Sequence, residues 1–179
     1  MVTIIADEGQ HGIGTALYEE FALMGVPAEY ISLDNIEVKP CVGCNGCTYQ
    51  TYGKCVFRDD GDRIYPHIIR ADALIFVTPI VFGSYSFKIK RVFDKFGLIM
   101  DRHYFMRNRE LAKGGLVGRQ FKFFTVGVAE SCAEGEIEAF QRLFHENLVI
   151  TRGAGKAFVA EGPLSKPMST EIINEVLSA

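Results

Sequence analysis

The sequence predicts an α/β protein with a doubly wound, five-stranded parallel sheet in the order 2-1-3-4-5. Short β-branched or apolar runs alternate with stretches of helical periodicity along the chain. The run Ala73 to Val77 is unbroken and apolar, which suits a strand buried on both faces. Connections are mostly short, so right-handed crossovers place helices on both faces, with the first strand central.

Val2 to Ala6 reads as that first strand. It ends in Asp7-Glu8-Gly9-Gln10-His11-Gly12-Ile13-Gly14-Thr15, after which Ile13, Leu17, Phe21 and Met24 repeat at helical spacing up to a Gly25 cap. A glycine-rich turn entering a helix is an anion site in principle, because unpaired N–H groups and the helix dipole favour negative charge. Asp7 and Glu8 oppose this unless they point away, and a tight turn that needs glycine for its own geometry is the competing reading. Ala28 to Leu33 is the second strand.

Asn35 to Asp62 is long for a connection, which marks it as functional or inserted. It holds Cys41, Cys44, Cys47 and Cys55 in the order C-x2-C-x2-C-x7-C. Three cysteines so spaced suit one iron-sulfur cube that a fourth closes, and Gly43 and Gly46 let the backbone wrap closely. Structural zinc sites usually pair ligands from two separated turns. Unligated thiols packing a tight loop, or a spacing kept without its cluster, compete with the cluster, and iron content separates them.

Asp59-Asp60-Gly61-Asp62 opens a helix carrying Ile64, Ile68 and Ile69, which Pro66 is expected to keep short. Strand three stops at Pro79. The loop Ile80-Val81-Phe82-Gly83-Ser84-Tyr85-Ser86 follows, and Ser86 is placed to cap a helix with Ile89, Val92, Phe93 and Phe96 on one face. Gly97 to Gln120 mixes Tyr104, Phe105 and Met106 with Arg102, Arg107 and Arg109, and reads as a lid or subunit contact or as a solvated connection. Phe121 to Val128 is strand four, followed by a helix with Ile137, Phe140, Leu143 and Phe144 on one face. Lys156 to Ala160 is strand five, and Ser169 is expected to cap a last helix through Ile172, Ile173, Val176 and Leu177.

Composition bounds the function. Residues 1–179 are expected to form one domain, with the cysteine-rich loop at about 35–62. With 48% hydrophobic and 23% charged residues and a net charge of −3, the chain has a globular composition and no electrostatic footprint for nucleic acid or anionic membrane. No apolar run approaches the roughly 20 residues of a membrane span. The start MVTIIADEGQ lacks the basic region of a signal peptide, so a cytoplasmic location is expected. Five cysteines in a reducing compartment read as thiols, metal ligands or redox groups. Cys132 stands apart from the other four, as a loop filler or a ligand neighbour. His11, His67, His103 and His145 share no metal-ligand spacing.

Pro40-Cys41-Val42-Gly43-Cys44-Asn45-Gly46-Cys47, Gly53-Lys54-Cys55, the pair Asp59-Asp60 and Thr78-Pro79-Ile80-Val81-Phe82-Gly83-Ser84 resemble the NADPH-dependent FMN reductase and iron-sulfur flavoprotein family. The likeness is close from about Asp34 to Asp94. It implies a flavodoxin-like fold, FMN as cofactor, a homodimer or homotetramer, and electron transfer from NAD(P)H or a protein donor to a small-molecule or redox-protein acceptor. On that resemblance Gly9, Gln10, His11, Gly12, Gly14 and Thr15 hold the phosphate. Pro79, Ile80, Val81, Phe82, Gly83 and Ser84 lie along the isoalloxazine ring, with backbone N–H groups toward its polar edge. Gly127, Val128, Ala129, Glu130 and Ser131 close the other side. Cys41, Cys44, Cys47 and Cys55 match the 4Fe-4S branch of the family. No side-chain acid or base is required, since flavin supplies the chemistry. The chain departs from the family at Asp7, Glu8 and Gly9, at Val81, and at Glu130 and Cys132. These departures keep open an alternative, a flavin-free binding or redox-sensing module on the same fold.

Overall fold

The computed structural model describes residues 1–7, 9, 11–107, 109–116 and 119–178. The chain runs β1 (Val2–Ala6), α1 (Ile13–Leu23), β2 (Ala28–Ser32), α2 (Gly46–Tyr49), α3 (Gly61–Arg70), β3 (Ala73–Pro79), α4 (Phe87–Asp94), a 3-10 turn (Phe96–Leu98), β4 (Tyr104–Arg107), β5 (Glu110–Lys113), β6 (Phe121–Val128), α5 (Glu136–Thr151), β7 (Gly153–Ala154), β8 (Ala157–Ala160) and α6 (Lys166–Ser178).

The sheet follows the path β2-β1-β3-β6, all parallel, and β7 and β8 pair in turn with the start and the end of β6. This is the flavodoxin-like order expected, with the fifth strand in two pieces. Between the pieces a Cβ on Gly155 would lie 1.7 Å from the Phe123 carbonyl oxygen, so the edge approaches β6 where only glycine fits.

Alternation along each strand builds two cores. Ile4, Ile75, Val77, Phe124 and Val126 pack with Leu17 and Phe21 of α1 and Ile172, Ile173 and Val176 of α6. Ile5, Leu74, Phe76, Phe121 and Phe123 face α3, α4 and α5. That second face is aromatic, with Phe76 edge-on to Phe123 at 5.0 Å and Tyr85 edge-on to Phe140 at 5.6 Å. Tyr85 is buried, and its hydroxyl accepts from Asn147 Nδ2 at 2.8 Å.

Three expectations need correction. Pro66 lies sixth among the ten residues of α3, so the helix outlasts its first turn. Burial of Ile64, Tyr65 and Ile68, with Tyr65 donating to the Val92 carbonyl at 3.0 Å, offsets the lost backbone bond. Ser169 is buried within α6, its hydroxyl 3.0 Å from both Glu20 Oε1 and the Lys166 carbonyl oxygen. The helix starts earlier, with Pro167 in its first turn. Phe96 packs from the 3-10 turn, since α4 ends at Asp94. Residues 97–120, read from the sequence as a lid or subunit contact or as a solvated connection, carry the antiparallel hairpin β4–β5. Among the described residues no helix is long and apolar enough to cross a membrane.

Candidate functional site

Parallel strands bring the loops after β1, β3 and β6 to one edge of the sheet, where open α/β sheets hold ligands. Each loop is stitched to the neighbouring strand end. The Asp7 N–H donates to the Val77 carbonyl at 2.9 Å, Ile80 N–H to Val128 at 2.9 Å, and Ala129 N–H to Ala160 at 2.8 Å.

In the first loop Gly9 and Gly12 have φ of 55° and 63°, a conformation that favours glycine, and a Cβ on either would meet nothing within 4 Å. Bare backbone therefore faces open space ahead of α1, whose N-cap, Gly12, makes no side-chain capping bond. Gly14 and Thr15 lie in the first turn of α1, Gly14 buried and Thr15 exposed. Gln10, assigned to the same loop, and Glu8 lie outside the described residues. Asp7 does not stand as a bare charge. Its Oδ1 is 2.9 Å from the Lys88 ammonium, which also reaches Asp34 at 3.4 Å. The Asp7 hydrogen bond outweighs partial burial and raises the Lys88 pKa, so the amine stays charged. His11 Nε2 lies 2.5 Å from Glu130 Oε1, joining the first loop to the third.

After Pro79, residues Val81 to Ser84 form a tight two-residue turn, with Val81 N–H donating to Ser84 O at 2.9 Å and Ser84 N–H to Val81 O at 3.0 Å. Both central residues are left-handed, Phe82 at φ 49° and Gly83 at 69°, the signature of a type I′ turn. Gly83 packs on α5, where a Cβ would come within 2.7 Å of Ala139 Cβ. Phe82 is 91% exposed at the tip. A bulky residue in this conformation is uncommon and points to a local role. The N–H groups of Ile80, Val81 and Ser84 are engaged within the protein, and among the described residues those of Phe82 and Gly83 have no protein partner. In the third region Gly127 and Val128 are buried strand residues, and a Cβ on Gly127 would strike Phe140 at 2.7 Å. Ala129, Glu130 and Ser131 form the loop itself. Partial burial, with Glu136, raises the Cys132 thiol pKa, which does not favour a reactive thiolate there.

The helix of the cysteine loop, α2, packs against the 3-10 turn that follows α4. The base of the loop is closed by Asp59 and Asp60. Asp59 accepts the N–H of Lys39 at 2.8 Å and of Gly61 at 2.9 Å, and Asp60 accepts that of Glu37 at 2.9 Å. Asp59 also pairs with Lys95, the two side chains being 3% and 2% exposed. Burial alone would raise the Asp59 pKa, but the Lys95 hydrogen bond and the two amides hold it below the usual carboxylate value.

Above this base Cys41, Cys44, Cys47 and Cys55 all line one cavity of about 160 Å³, together with Lys95, Tyr104 and Lys113. Gly43 and Asn45 turn the backbone left-handed, with φ of 66° and 54°, around that cavity. Among the described residues none of the seven N–H groups from Cys41 to Cys47 donates to a protein acceptor, which leaves them for sulfur or water. No three His, Cys, Asp or Glu side chains among the described residues gather closely enough to hold one metal ion. The residues lining the cavity include four cysteines, the donor type of an iron-sulfur group. Helix α4 links the two regions. Ser86 caps it, accepting from Ile89 N–H at 3.3 Å, and Lys95 at its other end lines the cavity. Eight residues at roughly 1.5 Å each span about 12 Å.

Sequence reasoning missed Lys88, Lys95, Lys113 and the turn geometry at Phe82. Nothing in the sequence distinguishes these lysines from solvated ones, because their partners Asp7, Asp59 and Thr48 are distant along the chain.

Comparison with known proteins gives a match to the NADPH-dependent FMN reductase family over residues 9–155. An iron-sulfur flavoprotein of Methanosarcina thermophila is 33% identical over 97 residues, 54% of this chain and 49% of that protein. One from Methanocaldococcus jannaschii is 39% identical over 71 residues, 40% of this chain and 36% of that protein. The chain thus spans about half the length of the first relative, and less of the second. Among solved structures, azoreductase AzrA superposes with a TM-score of 0.61 at 14% identity, covering 99% of this chain and 95% of its own. A putative quinone reductase from Klebsiella pneumoniae gives 0.60 at 15%, covering 99% and 82%. These two likenesses concern the fold alone.

Proposed function

The chain belongs to the NADPH-dependent FMN reductase family, and from that premise we propose that it is an FMN-dependent oxidoreductase or electron-transfer flavoprotein. In this reading it takes electrons from NAD(P)H or a redox protein and carries a 4Fe-4S cluster on Cys41, Cys44, Cys47 and Cys55. The observation that carries the reading is the gathering of those four cysteines around one cavity, in a chain similar to iron-sulfur flavoproteins. When bound, FMN supplies hydride and single-electron transfer, and a cluster supplies single-electron transfer alone.

The chain's own residues supply placement. Gly9 and Gly12 keep the first loop bare, and the start of α1 offers its dipole to a phosphate. Lys88 neutralises Asp7 at the mouth of that loop. The Phe82 and Gly83 amides are available to a ring edge, and residues 129–131 bound the opposite side. The protein acts in this reading as a cytoplasmic homo-oligomer on a small-molecule or redox-protein acceptor. Protein purified without oxygen is expected to show flavin bands that bleach with NADH or NADPH, and stoichiometric iron and sulfide. A protein that stays colourless after addition of FMN and cluster reconstitution would sink the reading. That result would favour the flavin-free module, for which the His11–Glu130 contact between the first and third loops speaks.

A further inference from the structure

Lys113 stands on β5, the second strand of the hairpin, and its side chain forms part of the wall of the four-cysteine cavity. Its Nζ lies 2.8 Å from Thr48 Oγ1 and 2.5 Å from the Gly97 carbonyl oxygen. Both acceptors are neutral, so they fix the ammonium without cancelling its charge. The other charged groups lining the cavity are already matched, Lys95 by Asp59 and Asp94 by Lys90. Among the described residues, Lys113 is the one lining charge without an ionic partner.

Resting on the iron-sulfur reading above, we propose that Lys113 is a positioning residue that compensates the negative charge of the group held by the four cysteines. It thereby raises the reduction potential of that group and latches the β4–β5 hairpin over it. Four thiolates and sulfide give the site net negative charge, and one-electron reduction adds one more unit with no bond made or broken. A fixed cation in the wall stabilises the more negative state more, because the interaction scales with the product of charges and is weakly screened in a partly enclosed site. Net charge and hydrogen bonding near the sulfurs are among the levers that set such potentials. Thr48 follows the ligand Cys47 directly on α2, so the same contact ties the hairpin to the cysteine loop.

The test reconstitutes wild type, Lys113→Met and Lys113→Arg with iron and sulfide. Midpoint potentials are read by spectroelectrochemistry, and trypsin cleavage at the exposed Arg109 is followed with and without the cluster. Lys113→Met is expected to hold as much iron as wild type but to have a more negative potential, and cluster loading should no longer slow cleavage at Arg109. Lys113→Arg is expected to restore both properties. Equal iron and equal potentials in wild type and Lys113→Met overturn this inference and leave the iron-sulfur reading standing. A wild type that takes up neither iron nor sulfide overturns both. Should Lys113→Met not fold, Lys113→Gln, which removes the charge but keeps a polar group that can reach Thr48 and Gly97, takes its place, and an unchanged potential in that variant also overturns the inference.

Discussion

Replacing Lys95 by methionine tests whether the cysteine loop is held in place by a buried charge pair. The Lys95 and Asp59 side chains are 2% and 3% exposed, so water cannot take over for either when its partner is lost. Removing one partner of a buried pair costs about 3–5 kcal/mol. Asp59 keeps the amides of Lys39 and Gly61, which argues for the lower end, about 3 kcal/mol or roughly a hundredfold in the folding equilibrium. In urea, with a slope of about 1–3 kcal/mol per M, the midpoint should fall by about 1–3 M. The pH dependence follows from Asp59. Its folded pKa lies below the unfolded value of 3.8, so its contribution is present above that value and lost as pH falls through the folded one. The difference between wild type and Lys95→Met should therefore be constant from neutral pH to about pH 4 and shrink below it. Adding Asp59→Asn should recover part of the loss, because no unpaired charge is then left buried. A difference under about 1 kcal/mol at neutral pH, the level of an exposed pair, would refute the reasoning. So would a difference that persists unchanged in acid.

At the candidate flavin edge, Lys88→Met leaves the Asp7 carboxylate, which is 14% exposed, without its cation. FMN affinity by titration calorimetry should drop about tenfold, and Asp7→Asn should restore it, whereas an unchanged affinity would place Asp7 away from the phosphate. Gly155→Ala forces a methyl against the Phe123 carbonyl and should cost about 1–3 kcal/mol or more, read as a lower Tm. An unaltered Tm would mean that the edge strand shifts freely. Cys44→Ala should abolish iron and sulfide uptake while leaving flavin bound, and joint loss of both would show that the two regions are not separable.

The fold was legible because the strand patterns are strong. Ala73 to Val77 and most of Phe121 to Val128 are buried, as unbroken apolar runs require of a sheet covered on both faces. The errors fall where local rules met tertiary packing. Ser169 has the residue type of a helix cap, but Pro167 sets the start of α6 and the serine is buried against Glu20. Pro66 should have shortened α3, yet the packing of Ile64, Tyr65 and Ile68 sustains it. The β4–β5 hairpin left no mark in the sequence because Met106 and Leu111, on paired positions, are 70% and 68% exposed, so no buried alternation betrays the strands. The cysteine spacing was readable, but the lysines around the site were not. Lys88 and Lys90 sit two residues apart on α4, and only the adjacency of β1 and β3 decides that Lys88 meets Asp7 while Lys90 pairs along its own helix with Asp94.

The two regions are held by different forces, and this bears on how the chain could run a flavin and a cluster together. The candidate flavin edge is an extension of the sheet, with Asp7, Ile80 and Ala129 each bonded to the next strand's end, so its geometry is as rigid as the ladder beneath it. Between β2 and α3 the cysteine loop has a single helix of four residues, α2. It is fixed at its base by the carboxylates of Asp59 and Asp60 and at its rim by the Lys113 ammonium. A segment pinned by charge can adjust to a group whose own charge changes with each electron, whereas a cofactor that must accept a hydride at a defined face benefits from a frame that does not move. Helix α4 joins the two through its rigid backbone, with its capped start at the sheet edge and Lys95 sealed against Asp59 beneath the cysteines.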